Sequence, residues 1–182
     1  MEQNTKENID WTGAWVKNPL SYSERKIRIA TSCSGIGAPE EALKQLGLDY
    51  EIVFAGDIDK YAKQSYFANH NITEDRWHDD IRTVDATAYK DKVDMFVSGI
   101  CCQAFSVCST KRMGVDDPTR GDLYKSFIRI VNECKPKVFI FENVVGMMTL
   151  KVKGEGITCW EKIRSSLEEE TGYDLHWQVM NS

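Results

Sequence analysis

Several hallmarks of other protein classes are missing from this chain of 182 residues. Its apolar runs are too short to cross a bilayer, and its polar start, MEQNTKENID, lacks the apolar core of a secretory signal. Its six cysteines form no C-x-x-C pair, and its three histidines offer no spacing typical of zinc ligands. We therefore expect free thiols, a cytoplasmic location, no membrane partner and no metal site.

Charge and composition narrow the possible class of protein further. The net charge of −5 argues against a protein coated in basic charge, although it leaves room for a local basic groove. Hydrophobic residues make up 42% of the chain and charged residues 28%, which is typical of one globular domain with a sizeable core. We expect an N-terminal extension over residues 1–25 and one domain over residues 26–182.

From residue 26 onward the pattern alternates between strands and helices. Short apolar or β-branched runs predict strands at residues 27–32, 50–55, 76–78, 95–97 and 138–141, and a sixth strand beginning within residues 176–180. Helix-start signals lie between these runs: Pro39 with two acids, Asp59, Asp122, and Thr158 with Glu161 three positions later. Five strands alternating with helices predict a mostly parallel, doubly wound α/β sheet.

The chemically interesting residues all follow predicted strands. In a parallel sheet the carboxyl ends of the strands share one edge, and ligands bind there. We therefore expect a single site at that edge. Its candidate residues follow the five strands in turn: Gly35 with Gly37, Asp57, Asp80, Cys102 and Glu142.

The first two loops are typical of an adenosine site. Gly35 and Gly37 let the backbone turn tightly beside a ligand, and Asp57, twenty residues after Gly37, suits an acid that binds ribose hydroxyls. A dinucleotide site needs a third glycine where this chain has Glu40, so a single adenosine ligand is favoured over NAD. Asp80 is either an acceptor for an adenine amino group or a solvated loop acid.

Cys102 and Glu142 are the candidate reactive groups. Cys102 is either a nucleophile at a strand end or a structural cysteine, and the nearby basic pair Lys111-Arg112 favours a thiolate. A redox pair with Cys101 is a lesser alternative, because vicinal disulfides are strained. Glu142 closes an apolar strand in the stretch FIFEN and is either a proton donor or a local cap.

The motifs around these residues resemble the cytosine-C5 DNA methyltransferase family. SGIGAPE is similar to its cofactor-binding motif, SGICCQAFS to its catalytic Pro-Cys-Gln motif, and TRGDLY and FENV to the two motifs that follow. The resemblance covers residues 27–182. It implies the Rossmann-like fold of class I methyltransferases, incomplete at its C-terminal end, with S-adenosylmethionine as cofactor. It also implies DNA as the partner, in the nucleoid or the nucleus according to the source.

The resemblance implies a role for each site residue. Cys102 would attack cytosine C6, and Glu142 would hydrogen-bond N3 and the amino group of the base. The implied cofactor-binding residues are Gly35, Ile36, Gly37, Asp57, Ile58, Asp80, Ile81 and Leu123. The implied substrate-binding residues are Gln103, Ser106, Arg120 and Asn143.

Three departures from the family pattern lead to alternatives. Cys101 stands where the family usually has proline, and Cys33 and Ile58 stand where many members have aromatic residues. The chain ends at Ser182, before the family's target-recognition region, so we expect a partial domain, either a fragment of a longer enzyme or one half of a split enzyme that a second polypeptide completes. The alternatives are a non-catalytic remnant or subunit that binds cofactor or a partner, and a methyltransferase that acts on RNA cytosine.

Overall fold

The computed structural model describes residues 25–109 and 112–180. The predicted N-terminal extension therefore lies outside the described residues, except for Arg25. These described ranges contain the strands β1 (Ile27–Ser32), β2 (Tyr50–Phe54), β3 (Met95–Gly99) and β4 (Val138–Glu142). They also contain the α-helices α1 (Ala38–Gln45), α2 (Lys60–Asn69), α3 (Leu123–Cys134) and α4 (Cys159–Thr171).

The strands form one parallel sheet in the order β2-β1-β3-β4. Ile29 of β1 pairs with Met95 of β3, and Gly99 at the end of β3 pairs with Glu142 at the end of β4. All four carboxyl ends therefore meet at one edge, as the sequence predicts. The expected α/β fold with a parallel sheet is confirmed.

Local signals position the helices. Pro39 lies in the first turn of α1, and the Asp59 carboxylate caps α2 by accepting hydrogen bonds from two backbone amides of its first turn. Thr158 and Glu161 form both halves of the predicted capping box at the start of α4. Each of these interactions joins residues at most a few positions apart, which is why the sequence alone could predict them.

The core lies on both faces of the sheet. On one face α3 buries an apolar stripe, and the Phe127 ring stacks on Phe96 of β3 with 5.1 Å between ring centroids. On the other face Ile29 and Ile52 pack with Tyr66 of α2 and with Trp77. Both helix layers are therefore held by burial of apolar area, which is the dominant favourable term in folding.

Two predicted strands are wrong. Residues 76–78 form only a single parallel bridge, between Trp77 and Ala55, after a 3-10 turn at Glu74–Arg76. A single bridged residue pair is too short to form a strand ladder. Residues 176–180 belong to no strand, and Met180 is 85% exposed. No helix among the described residues is long and apolar enough to span a membrane.

Candidate functional site

The loops after β1 and β2 are joined by hydrogen bonds at the carboxyl edge of the sheet. The Gly35 amide donates to Asp57 Oδ2 at 2.9 Å, and the Ser34 amide donates to the Gly56 carbonyl at 2.9 Å. The second Asp57 oxygen accepts from the Asp59 amide at 2.9 Å. The carboxylate is thus fixed in orientation, with lone pairs left over for a ligand hydroxyl.

The loop after β1 needs its glycines. Gly35 and Gly37 have φ of 55° and 90°, in the left-handed region that L side chains rarely adopt. A Cβ on Gly37 would overlap the His70 ring, whose Nε2 lies 3.0 Å from the Ile36 carbonyl oxygen. The backbone therefore lies directly on α2, and the Ile36 side chain is left 64% exposed at the edge.

The surface near the loop after β1 is apolar and carries an uncharged thiol, so it suits a neutral group of a ligand. Ile58, next to Asp57, is 76% exposed, so two isoleucines flank the hydrogen bond between the two loops. Burial and the Asp57 carboxylate raise the pKa of the Cys33 thiol to about 11. Cys33 therefore remains an uncharged thiol at neutral pH and is a poor nucleophile.

The segment that carries Asp80 and Ile81 is held by arginines. Asp80 accepts from the Arg82 amide at 2.9 Å and from its guanidinium at 3.1 Å. Arg129 of α3 donates to the Ile81 carbonyl at 3.0 Å. Sequence reasoning missed both arginines, since they resemble ordinary surface charges. Ile81 and Leu123 lie in the core, with at most 8% of each residue exposed.

Cys102 is exposed at the start of a 3-10 turn, Cys102–Ala104, just after β3. Its carbonyl accepts from the Phe105 amide at 2.9 Å and from the Ser106 amide at 2.8 Å, which fixes the turn. Gln103 is exposed beside it, and Ser106 Oγ accepts from the Cys108 amide at 3.2 Å. The thiol is therefore presented to solvent on an ordered turn.

Glu142 ends β4 next to the end of β3. A Cβ on Gly99 would come within 2.8 Å of Glu142 Oε2, so the carboxylate lies over the Gly99 backbone. The next residue, Asn143, donates its side-chain amide to the Ile100 carbonyl at 3.1 Å. Ile100 lies two positions before Cys102, so the Glu142 loop and the cysteine loop are joined directly.

Arg112 joins the same two loops from the far side. Its guanidinium donates to the Phe105 carbonyl at 2.9 Å, to Thr149 Oγ1 at 2.9 Å, and to the Gly146 carbonyl. A Cβ on Gly146 would overlap the Phe105 carbonyl, so the loops touch through backbone. The sequence suggested only a positive charge for Arg112, and its neighbour Lys111 lies outside the described residues.

Arg120 lies on the loop before α3. Its side chain is exposed, and its amide donates to Asp117 Oδ1 at 3.0 Å. Arg82 also donates to the carbonyl of the adjacent Thr119, which links this loop to the Asp80 segment. The edge therefore carries two groups of side chains: a glycine-bearing side around Asp57 and Cys33, and a thiol and carboxylate side around Cys102 and Glu142.

Comparison with known proteins decides the family. The family model for C-5 cytosine-specific DNA methylase matches residues 27–182. The chain belongs to this family. Among curated relatives, this methylase-family chain is 36% identical over 163 residues to the orphan methyltransferase M.SPRI of Bacillus phage SPR. It is 40% identical over 151 residues to the type II methyltransferase M1.ScrFI of Lactococcus lactis subsp. cremoris.

These alignments cover most of the chain but a minor part of each relative. They take in 86% and 83% of this chain, and 34% and 36% of the two relatives. Among solved structures, a DNMT2 variant from Spodoptera frugiperda aligns with a TM-score of 0.54 at 26% identity, covering 80% of this chain and 41% of that one. Dnmt2 from S. pombe aligns with a TM-score of 0.52 at 20% identity, over 78% and 41%. The methylase-family chain thus has the class I methyltransferase fold.

Proposed function

We propose that this chain provides the catalytic, cofactor-binding part of an enzyme that transfers a methyl group from S-adenosylmethionine to C5 of cytosine in DNA. The observation that carries the proposal is the pairing of Gly99 with Glu142 at the carboxyl edge, with Asn143 bound to Ile100. It brings a thiol-bearing loop and a carboxylate-bearing loop together, and family membership supports the reaction class.

The loops after β1 and β2 fit the adenosyl part of the cofactor. Asp57 is oriented by the Gly35 amide and has acceptor capacity left for ribose hydroxyls. Ile36 and Ile58 offer apolar surface for a base, and Cys33 adds no charge beside it. When bound, S-adenosylmethionine would supply an electrophilic methyl group. Asp80 would accept a hydrogen bond from the adenine amino group.

The residues of the second group would activate the base. The Cys102 thiolate forms a bond to cytosine C6, and the electron pair of the 5,6 double bond moves toward C5. Glu142 hydrogen-bonds N3 and the amino group and stabilises the charge that this attack creates. C5 would then take the methyl group as the S–CH3 bond of the cofactor breaks and its electron pair stays on the cofactor sulfur. C5 loses its proton to solvent, the C5–H electron pair restores the 5,6 double bond, and the Cys102 sulfur leaves C6 with its own electron pair.

The DNA side of the proposal follows from the same edge. A cytosine must leave the duplex stack to reach a thiol on such a turn. Gln103 and Arg120 are exposed and would contact the DNA, together with Ser106. The Asn143 amide already bonds backbone on both sides, to Ile100 and Val144, so it would act by positioning the loop. A cytoplasmic location, in contact with DNA, is part of this proposal.

A second polypeptide, or a further segment, would supply target recognition. The chain covers about a third of the length of the relatives cited above. Among the described residues β4 pairs with β3 alone, and its Val138 and Ile140 side chains are 45% and 47% exposed. This edge and face offer a place for the missing part to pack.

The test is trapping of a modified base. The chain is incubated with S-adenosylmethionine and 5-fluorocytosine DNA, with the C-terminal two thirds of M.SPRI supplied in trans. A covalent protein–DNA adduct is expected for the parent and for Cys108→Ser, a matched control that changes an exposed cysteine of the same loop. Cys102→Ser should lower methyl transfer at least about 1,000-fold and abolish the adduct.

The other outcomes decide between the alternatives. Full activity of Cys102→Ser would refute the covalent route. Calorimetric binding of S-adenosylhomocysteine without any adduct would make the chain a non-catalytic binding subunit. An adduct with 5-fluorocytosine RNA but not with the matching DNA would make RNA the substrate.

A further inference from the structure

Glu40 is a carboxylate with no exposed surface. It lies in the first turn of α1, where sequence reasoning treated it as a helix-start acid and as the residue in place of a third glycine. An acid with that role would face solvent. Its neighbour Glu41 does so in part, and Glu41 Oε1 pairs with Lys44 Nζ at 3.2 Å. Glu40 is instead 0% exposed. Burying a carboxylate is unfavourable unless it is hydrogen-bonded, so its partners reveal what it is for.

Those partners come from two other elements. Glu40 Oε1 accepts from the Tyr66 hydroxyl of α2 at 2.6 Å and from Thr31 Oγ1 of β1 at 2.9 Å. Its second oxygen has no hydrogen-bond partner among the described residues. Burial and the adjacent carboxylate raise the pKa of Tyr66 far above its usual range, so the phenol stays a donor. One oxygen thus ties β1, α1 and α2 together.

The contacts continue from Glu40 to the cofactor-side loops. Thr31 Oγ1, which donates its proton to Glu40, accepts from Ser34 Oγ at 2.8 Å, and Ser34 Oγ in turn accepts from the Gly56 amide at 2.9 Å. Gly56 directly precedes Asp57, whose carboxylate binds the Gly35 amide. An unbroken hydrogen-bonded chain therefore runs from the buried acid to the carboxylate that would hold the ribose.

We propose that Glu40 is a positioning residue for the adenosyl cofactor, holding the Gly35 loop and Asp57 in register through Thr31 and Tyr66. The inference rests on the proposed cofactor binding, and it assigns the acid no contact with the ligand. A role in packing alone would be served better by an apolar side chain, since packing requires no directed acceptor. Two donors converging on one oxygen fix the direction in which the loop is held.

The experiment compares variants of the full chain. Glu40→Gln keeps an oxygen acceptor at the same position, whereas Glu40→Leu keeps volume without an acceptor. Tyr66→Phe removes one donor, and Glu41→Gln is the matched control on the same helix. Binding of S-adenosylhomocysteine is measured by calorimetry. Amide hydrogen exchange of residues 33–41 and 55–58 is followed by mass spectrometry without any ligand, and circular dichroism reports folding.

We expect Glu40→Leu and Tyr66→Phe to weaken S-adenosylhomocysteine binding about tenfold or more and to speed exchange in both segments. Glu40→Gln should stay within about threefold of the parent, and Glu41→Gln should match it. Parental affinity and parental exchange in Glu40→Leu would overturn the proposal. If Glu40→Leu fails to fold, Tyr66→Phe decides by the same two measurements.

The ligand-free readout separates this proposal from the proposed function. If the parent binds no S-adenosylhomocysteine, cofactor binding is refuted, and exchange in Tyr66→Phe still shows whether the buried acid holds the loop. If the parent binds and the variants exchange faster without losing affinity, the loop is held but the positioning role is refuted.

Discussion

At position 101 the chain carries a cysteine whose backbone already has the shape of proline. Cys101 has φ of −47° and ψ of 113°, within about 20° of the φ near −65° that a proline ring imposes. None of the loop hydrogen bonds among the described residues starts at its amide. The backbone before Cys102 is therefore compatible with the proline that the family's Pro-Cys-Gln motif carries there.

This geometry predicts that Cys101→Pro is tolerated and stabilising. Proline restricts the unfolded chain and loses no amide donor here, so the free energy of unfolding should rise by about 0.4–1 kcal/mol. Urea denaturation measures the change. Cys108→Pro is the contrast in the same loop, because the Cys108 amide donates to Ser106 Oγ and its loss should destabilise. A loss of stability in Cys101→Pro would show that the loop needs a different φ.

Whether a side chain's role could be predicted depends on how far along the sequence its partner lies. The Asp59 cap and the Thr158–Glu161 box were predictable because their partners lie within three positions. Arg112 and Arg129 were not, because they bind carbonyls 34 and 48 positions away. Such contacts exist only once the loops have been brought together, so no local pattern signals them.

Among the elements, the strands with the clearest apolar runs were predicted best. The four described strands begin and end within two residues of their expected bounds, because each is a largely apolar or β-branched run between turn residues. The stretches at 76–78 and 176–180 failed because strand character there depends on a neighbour to pair with.

At the amino edge of the sheet, one buried acid holds three strands. Asp94, just before β3, accepts from the Arg28 amide and guanidinium of β1, both at 3.0 Å. Lys137, just before β4, lies 2.9 Å from the same carboxylate, and Arg25 also bonds it. The hydrogen bonds from Arg28 hold the pKa of Asp94 well below its usual range, against the opposing effect of burial. The acid therefore fixes the register of neighbouring strand starts.

Replacing this acid should cost stability in a pH-dependent way. Asp94→Asn is expected to lower the free energy of unfolding by about 2–4 kcal/mol at pH 7. Because the folded-state pKa lies below the unfolded value of about 3.9, the parent's advantage is present above that value and disappears as the pH falls through the folded pKa. The gap between parent and variant should therefore narrow below about pH 4.

Urea unfolding between pH 7 and pH 3 measures that gap. Asp91→Asn is the matched control, because Asp91 is exposed and its φ of 59° suits asparagine, so its effect should stay within about 0.5 kcal/mol. An Asp94→Asn deficit as large at pH 3 as at pH 7 would show that lost packing, and not the ionised carboxylate, accounts for the change.

Taken as a whole, the molecule covers its sheet unevenly. Phe139 and Phe141 of β4 point toward α3 and pack on Phe127. The alternate residues Val138 and Ile140 point to the opposite face and remain 45% and 47% exposed. β4 is also the sheet edge within residues 25–109 and 112–180. An exposed apolar face on an unpaired edge strand favours association with another chain.

This unevenness predicts how the isolated chain behaves. We expect it to self-associate and to melt broadly, because the β4 edge and its apolar face have no partner chain.

Ile140→Lys places a charge on that face and should reduce association, measured by sedimentation velocity, at a cost in stability of about 1 kcal/mol or less. In the complementation assay proposed above, the same variant should form less adduct, because a polypeptide packed on this face would have to cover the new charge. Val179→Lys, a similar change at an exposed position outside the sheet, should alter neither property. A monomeric parent with a sharp two-state melting transition would refute the expectation and would mean that β4 is stable without a neighbour.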